Sequence, residues 1–140
     1  MQITRQADYA LRAMMFLAKM KPNQRAATSQ IAEAQNIPPS FLAKIISQLS
    51  IAGLIHTSRG ARGGVSLARS AEEISILEVV EAIDGPIALN QCTETGDGCP
   101  FGEDCVLKPL WCDTQAELVQ RLKSVNFAQF VNGNSTSRAI

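Results

Sequence analysis

The stretch Pro38-Pro39-Ser40-Phe41-Leu42-Ala43-Lys44-Ile45-Ile46-Ser47-Gln48-Leu49, followed by Arg59-Gly60-Ala61-Arg62-Gly63-Gly64, decides how this chain folds. Proline suits a first helical turn, where its missing N–H costs nothing. Leu42, Ile45, Ile46 and Leu49 recur at spacings of three and four, the signature of one buried helix face. Ser40, Lys44, Ser47 and Gln48 fall largely off that face. The pattern predicts a helix from Pro38 to about Ala52, ended by Gly53 in the left-handed position. Two extended runs follow, Leu54–Ser58 and Gly64–Ala68. The glycine-rich, doubly basic segment between them reads as a hairpin tip.

Working outward, Thr28 is placed to cap a short helix that buries Ile31 and Ala32 and ends at Asn36. Residues 6–20 read as a first helix, with Ala7, Leu11, Met14 and Ala18 on one face and Asp8, Arg12 and Lys19 off it. Helix, helix–turn–helix and basic hairpin follow one another in the order of a winged helix. In such a domain the third helix enters the major groove of double-stranded DNA and presents its first residues to base edges. The hairpin reaches the adjacent minor groove, whose negative potential attracts arginine.

Charge supports this division. The 140 residues carry no net charge. Residues 1–69, however, hold nine Lys/Arg against two acids, and residues 70–140 hold four against eleven. The basic half can meet phosphate, which the acidic half would repel.

Downstream, Ser75-Ile76-Leu77-Glu78 matches a capping box. It opens a helix with Ile76, Val79, Val80 and Ile83 on its buried stripe and Gly85-Pro86 at its end. Residues 87–104 are irregular and glycine-rich. From about Asp104 to Ser124 the pattern is helical again, with Pro109 tolerable only in the first turn or so. Leu107, Leu110, Trp111, Leu118, Leu122 and Val125 form its apolar stripe. Such a helix after a small DNA module either packs on its own core or supplies a dimer seam matched to a palindromic site.

The expected fold is therefore mostly α with a small β-hairpin: a winged helix-turn-helix plus a long C-terminal dimerisation helix. The expected division is a DNA-binding region over 1–70, a sensor loop and dimerisation helices over 71–130, and a disordered tail over 131–140. The start of the chain lacks the layout of a signal peptide, and no apolar run is long enough to span a bilayer. A cytoplasmic protein without a membrane partner is expected. There is no nucleophile–base constellation, no phosphate loop and a single histidine, so an enzyme is not expected.

All four cysteines, Cys92, Cys99, Cys105 and Cys112, fall within 21 residues. Cytoplasmic thiols stay reduced, so crowded cysteines read as metal or redox chemistry before disulfides. Thiolates suit zinc or an iron–sulfur cluster. No C-x-x-C knuckle exists, and wide spacing in a flexible loop suits the larger cluster better. The bland alternative is plain reduced thiols, one or two of them buried. A continuous helix through Cys105 and Cys112 would separate their sulfurs by roughly 10 Å at about 1.5 Å per residue, too far for one small cluster.

Taken together, Met1-Gln2-Ile3-Thr4, Asp8–Met14, Ile37–Leu49, the wing at 59–64 and the spaced cysteines resemble the Rrf-two family of bacterial winged-helix regulators, which includes IscR, NsrR and RirA. The resemblance covers about residues 1–130. It implies a homodimer on an imperfect palindrome and a cluster held by Cys92, Cys99 and Cys105. By position it implies DNA contacts from Ser40, Lys44, Arg59 and Arg62. IscR-like members use a histidine shortly after the third cysteine, where this chain has Lys108. NsrR-like members use an aspartate of the first helix, donated across the dimer, and Asp8 stands there. The resemblance is thus nearest to the NsrR-like pattern, with 4Fe–4S favoured over 2Fe–2S. For the fourth ligand, Asp8 of the partner subunit and Cys112 remain open. Asp8 could equally form an i,i+4 ion pair with Arg12, an interaction worth about 0.3–0.5 kcal/mol.

The resulting expectation is a dimeric transcription regulator, a repressor rather than an activator, whose operator affinity follows a cluster responding to nitric oxide, redox state or iron supply. One alternative is a cluster-free regulator of the same family that senses sulfur metabolism. Another, of a different class, is a small iron–sulfur electron-transfer protein, which would have no need of a basic wing.

Overall fold

Helix α1 (Arg5–Ala18) starts at Thr4, whose Oγ1 accepts from the Ala7 N–H at 3.1 Å. This side-chain acceptor satisfies one of the donors that a helix start leaves free. The buried stripe of α1 is Ala7, Ala10, Ala13, Met14 and Leu17. Leu11 and Ala18, expected on that stripe, are only partly buried and pack at its margin. The computed structural model describes residues 2–61, 63–90, 93 and 104–131. Arg62, Cys92, Cys99 and residues 132–140 of the expected tail lie outside the described residues.

The cap of helix α2 (Thr28–Gln35) lies one residue earlier than the expected Thr28. Ala27 holds the N-cap position, and its N–H donates to Gln30 Oε1 at 2.8 Å. Thr28 is therefore the first helical residue and not the cap. Asn36 ends α2 in the left-handed conformation, at φ 54°. Helix α3 (Pro39–Ile51) buries Leu42, Ile45, Ile46 and Leu49, the four residues expected from their spacing. Gly53 follows at φ +77°, where an L side chain would be strained.

Strands β1 (Ile55–Ser58) and β2 (Gly64–Leu67) pair antiparallel, with Ile55 opposite Leu67 and Ser58 opposite Gly64. Ala26 adds an antiparallel bridge to Val65 through backbone hydrogen bonds of 3.0 and 2.8 Å. The segment leading into α2 is thereby sewn to the outer edge of the hairpin. Gly64 sits at φ +147°, and a Cβ there would meet the Ala26 carbonyl oxygen at 2.8 Å. Only glycine allows this approach. The fold is mostly helical with one two-stranded hairpin, a winged helix-turn-helix.

Helix α4 (Ile76–Asp84) is opened by the expected capping box. The Glu78 N–H donates to Ser75 Oγ at 3.2 Å, and the Ser75 N–H donates to Glu78 Oε2 at 3.0 Å. Its buried residues are Leu77, Val79 and Val80, while Ile76 and Ile83 are partly buried. Leu77 was not expected inside. It becomes so because a second apolar cluster, Leu77, Val80 and Ile87, forms against the next long helix.

That helix, α5 (Lys108–Ser124), starts four residues later than the expected Asp104. Leu107 takes its N-cap position and Pro109 its first turn, where proline leaves no hydrogen bond unmade. Leu118, Val119 and Leu122 pack on the α4 cluster. No α5 residue is fully buried. The chain then turns back. Val125 O accepts from the Ile76 N–H at 2.9 Å, and the Phe127 N–H donates to Ile74 O at 3.3 Å. Phe127 enters the same core as Met14, Leu42 and Ile45 and is fully buried. A short helix α6 (Ala128–Val131) ends the described chain.

Candidate DNA-binding surface and cysteine segment

The face of α3 opposite its buried stripe carries Ser40, Ala43, Lys44 and Ser47, all exposed. At 3.6 residues per turn these four lie along one side of the helix. Ser40 and Lys44, expected as contacts, are thus brought together on one surface, with two hydroxyls and a single cation. Phe41 is also exposed at the head of α3, and its ring meets that of Tyr9 of α1 at 6.2 Å between centroids.

Arg59 is exposed directly after β1. The wing root is braced from a direction that sequence reading missed. Arg25, in the turn before α2, donates from Nη1 to Ser58 Oγ at 2.7 Å. Its only sequence signal was an unassigned cation beside the bridging Ala26.

Asp8 pairs with Arg12 inside α1, Arg12 Nε to Asp8 Oδ2 at 2.9 Å, with both side chains about half exposed (51% and 52%). The Asp8 hydrogen bond first, and its charge second, raise the Arg12 guanidinium above its ordinary value. Among the described residues no three of His, Cys, Asp and Glu converge as a metal cage. Of the expected thiol ligands only Cys105 is described, partly buried and three residues before α5. Cys112 is exposed within α5. Since α5 begins at Lys108, Cys105 and Cys112 do not share one continuous helix. The two-turn separation expected for them therefore does not apply.

The cysteine segment is tied to α5 near both ends. The Leu89 N–H donates to Gln115 Oε1 at 2.9 Å. The Lys108 N–H donates to Cys105 O at 3.2 Å. Gln115 and Lys108 are two turns apart, so these anchors stand roughly 10 Å apart along the helix, at about 1.5 Å per residue. Three cysteines fall in sequence between Leu89 and Lys108, and three thiolates have the donor chemistry of an iron–sulfur ligand set.

A reading helix, a braced wing and the charge division above define a winged-helix DNA-binding protein. The family model Rrf2, described as an iron-dependent transcriptional regulator, matches residues 3–133. An HTH-type transcriptional regulator of Mycobacterium tuberculosis is 35% identical over 133 residues, covering 95% of this chain and 83% of its own. The HTH-type transcriptional regulator IscR of Klebsiella pneumoniae is 31% identical over 132 residues, covering 94% and 80%. Among solved structures, CymR, the global cysteine regulator of B. subtilis, shares the fold with a TM-score of 0.80 at 24% identity, covering 96% of this chain and 99% of its own. The chain belongs to the Rrf2 family: it is a DNA-binding transcriptional regulator and not an enzyme. Among the described residues no helix is long and apolar enough to cross a membrane.

Proposed function

We propose that this chain is a cytoplasmic, homodimeric repressor that binds an imperfect palindrome under control of an iron–sulfur cluster, 4Fe–4S in preference to 2Fe–2S. Ser40 and Lys44 read base edges, while Arg59 and Arg62 enter the minor groove. Cys92, Cys99 and Cys105 hold the cluster, with Asp8 of the opposite subunit as the NsrR-like fourth ligand and Cys112 as the competing one. When bound, such a cluster supplies a centre that nitric oxide, oxidation or iron loss can alter.

The carrying observation is the pair of anchors on α5. They tie the cysteine segment to a helix whose far half packs on α4 through Leu118, Val119 and Leu122. Helix α4 in turn packs on α1 and α3. A change in the segment therefore has a contiguous packed route to the reading helix. The head of α5 also leaves apolar side chains uncovered, Val106 at 89% and Leu107 and Leu110 each at 52% exposure. Burying them against a second copy removes apolar surface from water and fixes the spacing of two reading helices.

The test is anaerobic purification with iron and sulfide counting and visible spectroscopy, followed by nitric oxide titration of the DNA-bound protein. A chromophore whose loss changes operator affinity is expected. Colourless protein after attempted reconstitution, still binding DNA, would replace this reading with that of a cluster-free member sensing sulfur metabolism.

A further inference from the structure

We propose that Arg25 is a backbone-phosphate contact of the bound DNA, docked at the wing root so that it and Arg59 engage the duplex as one unit. The inference rests on the DNA-binding surface described above and adds a contact from an element outside both the reading helix and the wing.

Three observations carry it. First, Arg25 is exposed, yet its guanidinium is held, with Nη1 on Ser58 Oγ at 2.7 Å. Ser58 is the last residue of β1 and directly precedes Arg59. Arg25 is thus held against the residue that leads directly into Arg59. Second, the backbone beneath Arg25 is fixed. The Ala26–Val65 bridge clamps it to β2, and a Cβ on Gly64 would meet Arg25 Cβ at 3.1 Å. A side chain on so rigid a base loses less freedom when it binds.

Third, among the described residues no carboxylate pairs with this charge. Among the described residues the ion pairs are Arg12–Asp8 and Arg69–Glu78, and neither involves Arg25. Beside Arg25 an open cleft of about 650 Å³ runs between the turn at Asn23 and Gln24 and the wing at Ala61 and Gly63. Among the described residues no carboxylate lines it. The bond to Ser58 uses one of the five guanidinium N–H donors, which leaves the planar fork suited to a phosphate. A cation with no carboxylate partner among the described residues, beside this open cleft and at the root of the wing that carries Arg59, fits the sugar–phosphate strand bordering the minor groove.

The experiment uses the full chain and the duplex that wild-type protein enriches from a randomised pool, with affinity followed across salt concentrations. Each lost phosphate contact lowers the slope of log K against log salt by about 0.9. Arg25→Gln removes the charge and keeps a donor for Ser58. It should lower the slope by that amount per engaged subunit, weaken binding evenly across sequences and leave the thermal midpoint unchanged. Arg25→Lys should restore the slope. A purely structural brace predicts the opposite, an unchanged slope in Arg25→Gln, and that result overturns the proposal. Failure of the wild type to enrich any duplex would instead overturn the wider DNA-contact reading.

Discussion

Thr4 joins the head of α1 to the tail of α4: its Oγ1 donates to Asp84 Oδ1 at 2.5 Å and its N–H donates to Asp84 Oδ2 at 3.3 Å. Asp84 is the last residue of α4, where a negative charge opposes the helix dipole. The same charge lies beside the amino end of α1, where it is favourable. The bond thus offsets a local electrostatic cost by bringing together two ends 80 residues apart. Thr4→Ala removes the cap and the Oγ1 bond of this link, keeps its backbone N–H bond, and should lower stability by about 0.5–2 kcal/mol. A double-mutant cycle with Asp84→Ala in urea unfolding measures the link itself. Strictly additive losses would mean that the two side chains do not interact in solution.

Phe127 ties the carboxy-terminal return to the core of the amino-terminal half. Phe127→Ala should cost about 3–5 kcal/mol, the range for truncating a buried aromatic. Chemical denaturation should still show one transition, since the cavity lies in the shared core. A separate early transition confined to α5 would contradict that core.

Glu78 gives the fold an acid-sensitive joint. Burial pushes its carboxyl up, but the Ser75 backbone N–H and Arg69 outweigh this and hold it below the ordinary glutamate value. A carboxylate depressed in the folded state stabilises the fold above its unfolded pKa, about 4.3. That contribution fades as pH falls through the depressed folded value. The thermal midpoint of wild type should therefore drop more steeply on acidification below about pH 4.3 than that of Glu78→Gln. Parallel acid limbs would remove Glu78 from the account.

Arg59→Ala and Lys44→Ala should weaken DNA binding in different ways. The wing substitution should lower affinity and salt dependence while leaving any chromophore intact. Lys44→Ala should cost about 1–3 kcal/mol and relax base preference at one position of each half-site, because a lysine at the head of α3 suits the guanine edge. Binding-site selection with each variant separates the two. Loss of chromophore with Arg59→Ala would contradict the wing assignment.

Asp8→Ala and Cys112→Ser distinguish the candidate fourth ligands. The Asp8–Arg12 pair is exposed, so losing it should change stability by only a few tenths of a kcal/mol. A shortened cluster lifetime in Asp8→Ala with unchanged melting would then report ligation and not folding. The same loss in Cys112→Ser alone would favour the thiol. Unchanged spectra in both would leave solvent or a small thiol at that position.

Much of the fold was legible because it is local. The four buried residues of α3, the left-handed Gly53 and the Ser75–Glu78 box follow from helical spacing and capping chemistry within a few residues. Exposure of Ser40 and Lys44 follows from the same spacing. The errors were local as well as distant. Gln30, by taking the Ala27 N–H, moved the start of α2 away from the Thr28 cap. Helix α5 starts only at Lys108, which leaves Cys105 outside the helix that carries Cys112.

Periodicity and turn chemistry therefore suffice for the element order, the exposed face of α3 and the hairpin, since each depends on neighbours along the chain. Burial of Leu77 and Phe127, the Thr4–Asp84 bond, the Leu89–Gln115 anchor on α5 and the seat of Arg25 against Ser58 came only with the tertiary structure. Each requires residues far apart in sequence to meet. Packing and hydrogen-bond satisfaction across the whole core decide such meetings, and no single segment carries that information.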